Sequence, residues 1–284
     1  MKYIAVILFC KLLQPLLNKK CSMELSDTRA FMKYILIRQL AAAVIAFFFA
    51  VGSLQYDLPM IAFGAVFAIC MTVCTYAGIA AMQSAAMVLV SFFEMAGLLL
   101  PCIAGIFFFS EPLTAGHVIG LMGCLISAWL LTGGKNVRIS AKGWVLLVAC
   151  LLSNGGIMLT QKLFSYLLPN GSVRAFHFWG FLFSAVCSLV LCWTTGQKNE
   201  TEAKVSKKLY VYGIVLSAAM LTISMLSTLA SKAIPAVVLF PLVNGGGLLL
   251  CTGISSVVYK EKLTVKMIAG LILGTLALMV INLS

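Results

Sequence analysis

The chain has 284 residues, 62% of them hydrophobic and only 10% charged, with a mean hydropathy of +1.08. A soluble domain carries about a quarter charged residues, so this composition cannot cover a water-soluble globule. The formal charge of +12 is scattered singly between apolar runs, with no basic stripe interleaved with aromatics, which excludes nucleic acid as a partner.

At about 20 residues for a hydrocarbon core of ~30 Å, the apolar runs predict an all-α membrane protein with ten transmembrane helices. They lie at 3–20, 31–51, 59–80, 86–108, 115–133, 144–163, 175–195, 209–230, 236–258 and 265–283. Period-two alternation is missing, which excludes a barrel. The first run is the least apolar, because it holds Lys11, Gln14 and Pro15. With Lys11 inside it and no small-residue cleavage site after it, it does not read as a signal peptide. Arg38, a turn or two into the second run, is expected to snorkel to the interface. In the third, Cys70 and Cys74 lie one turn apart, but no His or acid nearby completes a metal site. Cysteines within such runs read as small buried hydrophobes.

Glu94 is the ninth residue of the fourth run, flanked by apolar residues. An acid at a helix centre costs about 2.5–3.5 kcal/mol, so Glu94 is a functional candidate. Gly116-x-x-x-Gly120 and Gly270-x-x-x-Gly274 predict close helix packing. Tyr76, His177 and Trp179 are pocket or interface aromatics. His117 and His177 lack metal-ligand spacing, so no metal is expected. Asn244 precedes Gly245–Gly247, where the ninth helix is expected either to unwind or to pack closely.

An internal repeat organises these features. Residues 79–114 lie over 229–264 without a gap at an offset of 150, matching Gly97–Leu100 with Gly247–Leu250. Glu111, Leu113 and Thr114 recur as Glu261, Leu263 and Thr264, and the acids are expected to cap the helices that follow. Arg29-Ala30-Phe31 recurs as Arg174-Ala175-Phe176, and Lys19 falls on Lys162 at an offset of 143. Each unit, 1–133 and 144–284, holds five helices, and an odd number makes the second copy inverted. Glu94 then pairs with Asn244, and Lys11 with Asn154, across a pseudo-two-fold axis.

With the five-plus-five repeat, Ser110-Glu111-Pro112-Leu113-Thr114 and Lys260-Glu261-Lys262-Leu263-Thr264, the chain resembles the drug/metabolite transporters with paired EamA domains. Arg38 also resembles an arginine found early in that family's second helix. Phe9–Gln14 departs from the family's Trp-Gly-Ser/Ala-Asn-type stretch, so no substrate contact carries over there. The resemblance implies both termini in the cytoplasm. The charges imply the opposite. One side would hold Lys2, Lys162, Arg174 and Lys232, and the other fourteen Lys and Arg, among them Lys19, Lys20, Arg29, Lys33 and Lys207.

The expected function is a gradient-driven secondary transporter in the cell membrane, exporting small organic metabolites or drugs by alternating access. The expected substrate-binding residues are Glu94, Asn244, Lys11, Gln14, Asn154 and Tyr76, with Lys11 paired to Glu94. No Walker motif, nucleophile elbow or paired carboxylate occurs, so no catalytic residue, metal or cofactor is expected. Expected partners are a small organic solute, protons as coupling ion and membrane lipid, with a homodimer left open. The alternative is a non-transporting membrane subunit or a lipid-linked-sugar flippase component.

Overall fold

Backbone groups in an apolar setting must find their partners within their own segment, which favours helices. In the computed structural model, which describes residues 2–25, 28–85, 87–108, 114–131, 140–195, 206–258 and 264–283, every apolar run is helical. The helices are α1 (Lys2–Glu24), α2 (Thr28–Ala50), α3 (Leu58–Ser84), α4 (Met87–Ala96), α5 (Leu99–Phe108) and α6 (Ala115–Leu131). They continue with α7 (Ala141–Leu167), α8 (Val173–Thr195), α9 (Lys207–Ser231), α10 (Ala236–Phe240), α11 (Gly246–Val258) and α12 (Val265–Leu283). A π-helical turn, Pro241–Gly245, joins α10 to α11. Among the described residues there is no strand, and the protein is all-α. Six stretches are long and apolar enough to cross a membrane, including Leu58–Gln83, Ala141–Leu167 and Lys207–Ser231.

Two of the runs are interrupted, each by a proline. Pro101 has no N–H, and its ring crowds the carbonyl four residues back, that of Gly97. There α4 ends and α5 begins, with the tightened bonds Leu98 N to Met95 O (2.9 Å) and Leu100 N to Gly97 O (3.1 Å). Pro241 acts likewise on Val237, and the chain widens into the π-turn instead of unwinding at Gly245–Gly247.

The repeated Thr has a local explanation. Thr114 Oγ1 accepts from His117 N (3.2 Å) and Thr264 Oγ1 from Met267 N (3.3 Å), the same N-cap at the starts of α6 and α12. Ser110–Leu113 and Lys260–Leu263, including Glu111 and Glu261, lie outside the described residues.

Packing crosses between the two halves of the chain. α1 packs on α9 and α11, and α7 on α3, α4 and α5. α2 packs on α8 and α9, α8 on α2 and α3, and α6 on α12. α3 and α7 are antiparallel, since Phe63 faces Phe164 and Cys70 faces Gly156. The expected glycine contacts in α6 and α12 are partly realised: Ser127 Oγ donates to Gly270 O (2.6 Å), and a Cβ added at Gly274 would strike Ser127.

Polarity is distributed inside out. Phe107 and Trp193 are each 77% exposed, whereas Arg38 is 1% and Gln39 0% exposed. A surface of this kind is matched to an apolar surrounding.

Candidate functional site

Helical spacing puts polar residues on inward faces. Lys11, Gln14 and Asn18 follow i, i+3, i+7 on α1, and Asn154, Met158 and Gln161 follow i, i+4, i+7 on α7. Met220, Ser224 and Ser227 do the same on α9. These faces line a central cavity of about 60 Å³, completed by Arg38 of α2, Cys74 and Thr75 of α3, Glu94 of α4 and Asn244 of the π-turn. A second cavity of about 40 Å³ shares Lys11, Gln14, Asn18, Glu94 and Asn244 and extends toward Pro15, Ser91 and Gly247.

Asn244 is the hub. Its Oδ1 accepts from Lys11 Nζ (2.9 Å), and its Nδ2 faces Met158 Sδ (2.9 Å) and donates to Phe240 O (3.2 Å). One side chain thereby ties α1 and α7 to the π-turn and satisfies a carbonyl on the turn's edge. Asn154 does the matching work at the other break, where its Nδ2 donates to Glu94 O (2.6 Å). That carbonyl loses its helical partner because Leu98 N bonds Met95 O instead, and it accepts a longer bond from Gly97 N (3.3 Å) beside that of Asn154.

The Glu94 carboxyl lies against bare backbone of α3. A Cβ added at Gly78 would come within 3.0 Å of Glu94 Oε1. Lys11 and Arg38 are the cations within electrostatic reach of this carboxylate. Backbones also touch at Gly97 and Gly155, where an added Cβ on either would meet main-chain atoms at 2.6–2.7 Å. On the other side, Gly247 faces the Lys11 stem, with an added Cβ 3.3 Å from Lys11 Cβ.

Of the residues singled out in the sequence, Glu94, Asn244, Lys11, Gln14 and Asn154 all line this cavity. Lys11 is held by Asn244, where an ion pair with Glu94 was expected. Tyr76 is not brought to the cavity. At roughly 100° per residue it points away from Cys74 and Thr75, and its ring packs edge-on against Phe31 at 5.5 Å. His177 is fully buried, donates Nδ1–H to Val173 O (2.8 Å) and packs among Phe67, Phe176 and Phe181. Trp179 Nε1 donates to Gln55 O (3.0 Å), an anchoring contact outside the cavity.

Arg38 overturns the snorkelling expectation. It is buried, its Nη1 donates to Asn18 Oδ1 (3.0 Å), its Nη2 meets Met220 Sδ, and it lines the cavity. Asn18, Gln161 and Ser224 were also missed, although the polar stripes on α1, α7 and α9 carried the signal.

No family model and no curated protein matches this chain. A solved structure described only as "Crystal structure of protein" is similar over 98% of this chain and 97% of its own length, at 15% identity and a TM-score of 0.70. At that identity the likeness shows a shared fold and nothing more.

The Lys11–Asn244 bond gives a direct test of how the hub is wired. A hydrogen bond to a charged group contributes about 1.5–3 kcal/mol. Lys11→Met and Asn244→Leu are each expected to lower thermal stability in detergent, and the double variant by less than their sum. Strict additivity would mean that the two side chains do not interact.

Proposed function

We propose that the chain is a ten-span, multi-pass protein of the cell membrane, built as two inverted five-helix repeats (1–133 and 144–284), and a gradient-driven transporter of small organic solutes. The observation that carries this reading is the convergence of Lys11, Gln14, Arg38 and Glu94 with Asn154 and Asn244 on one cavity enclosed by apolar helices. Polar and ionisable groups inside a membrane mark solute or ion pathways.

The packing supports the repeat. If α1 corresponds to α7, α2 to α8 and α3 to α9, then α1 on α9 mirrors α7 on α3, and α2 on α9 mirrors α8 on α3. Lys11 to Asn244 mirrors Asn154 to Glu94, and both the fourth and ninth runs are broken. Lys19 Nζ donates to Met82 O (2.9 Å) at the end of α3, and Lys162 Nζ to Ser231 O (3.4 Å) at the end of α9. Because α3 and α7 run antiparallel, these two bonds lie toward opposite ends of the bundle. A midplane site between inverted repeats with broken helices is a recurrent transporter design. The EamA-type drug/metabolite transporters are the family whose pattern this arrangement resembles.

The test is flux by the purified chain alone. Proteoliposomes loaded with a mixture of amino acids and organic acids are given a pH gradient, and efflux is followed by mass spectrometry. Loss of at least one solute faster than from empty liposomes is the expected outcome. Absence of flux together with a stoichiometric co-purifying partner would favour a non-transporting subunit or flippase component.

A further inference from the structure

The ionisable groups lining the cavity, Lys11, Arg38 and Glu94, are two cations to one carboxylate. With one proton between them, on the amine or on the carboxyl, Lys11 and Glu94 sum to zero. Arg38 cannot lose its proton in a protein, so the cavity keeps a net charge of +1. Its guanidinium is 1% exposed, and its acceptors are an amide oxygen on Asn18 and a thioether on Met220. Nε has no partner. Among the described residues no carboxylate lies within ion-pair distance of it. A buried cation left in this state is costly, and a planar guanidinium fits a carboxylate with two parallel hydrogen bonds.

Beside the polar groups, Ile157, Met158, Ile223, Phe240 and Val243 make up an apolar part of the wall. A zwitterion would leave the +1 in place, a cation would raise it, and a dianion would overshoot it. A monoanion balances it. We propose that the solute of this cavity is a monoanionic organic acid, its carboxylate held by the Arg38 guanidinium and its apolar body against Met158, Ile223 and Phe240. This rests on the reading of the cavity as the solute site, and adds the solute's charge and the group that recognises it.

Binding to the purified wild-type protein in detergent, measured by calorimetry, separates this inference from transport itself. Phenylacetate, phenylacetamide, phenethylamine and L-phenylalanine share one body and differ in charge. Phenylacetate is expected to bind at least tenfold tighter than the amide, with L-phenylalanine weaker and the amine not bound. An amide within twofold of the acid, a tighter amine or zwitterion, or no binding by any of the four would overturn the proposal. Arg38→Lys keeps the charge but loses the fork, and is expected to weaken phenylacetate at least tenfold while remaining monodisperse on gel filtration. A purely structural Arg38 would instead lower thermal stability and leave the acid-over-amide preference of the folded fraction unchanged. Retained acid selectivity in a protein that shows no flux would count against transport and not against this inference.

Discussion

Glu94→Gln is expected to reduce solute flux in proteoliposomes to the level of empty liposomes, with the protein still folded and monodisperse. Among the described residues lining the cavity, Glu94 is the carboxylate. Glutamine keeps its size and its place beside Gly78 but can neither carry a negative charge nor exchange a proton. The substitution also raises the cavity's charge from +1 to +2, because Lys11 and Arg38 both remain. Any mechanism in which the solute or a proton exchanges with the Glu94 charge therefore stops. Glu94→Asp, which keeps the charge on a shorter stem, is expected to retain part of the flux. Wild-type flux in Glu94→Gln would sink the role assigned to this carboxylate.

The second large effect concerns stability at the crossing of α4 with α7. Gly97→Ala would place a methyl 2.6 Å from Leu151 O and 2.7 Å from Gly155 N, and Gly155→Ala would place one 2.6 Å from Gly97 O. These are backbone atoms of packed helices and cannot step aside as a flexible side chain could. Overpacking of this kind costs about 1–3 kcal/mol, and here the two helices must separate along their contact. Each variant is expected to melt well below wild type in detergent, with the double variant less than additive because both relieve the same contact. Gly253→Ala is the control. Among the described residues nothing lies within 4 Å of an added Cβ there, and alanine in a helix gains up to about 1 kcal/mol over glycine. Equal melting of Gly97→Ala and Gly253→Ala would refute the close crossing.

The helices were legible because apolar run length and helix length are governed by the same thickness. The runs expected at 59–80 and 144–163 became Leu58–Ser84 and Ala141–Leu167, each longer by about a turn at one end or both. The cavity residues Lys11, Glu94, Asn154 and Asn244 were legible because a polar group deep in an apolar run needs a partner. Rotation about each helix axis was not legible. Tyr76 and Cys74 are two residues apart, and only the neighbours of α3 decide which of them meets the cavity. Arg38 was misjudged because distance from the helix end was taken as depth, whereas Asn18 and Met220 draw it inward. Of the two expectations for Gly245–Gly247, close packing is met by Gly246 against Leu8 and Gly247 against Lys11, and the missing N–H of Pro241 sets the break.

The two lysine bonds toward opposite ends of the bundle carry a consequence for leakage. Lys19 holds the end of α3 and Lys162 the end of α9, so drawing α1 away from α3 breaks the first bond and leaves the second untouched. On the transport reading, the two act as separate latches, each engaged with its own doorway. A carrier must never unfasten both together, since a cavity open at both ends is a channel that dissipates the gradient driving it. Replacing both lysines with methionine removes one restraint from each doorway, and the fault to look for is an uncoupled ion current, not slower exchange.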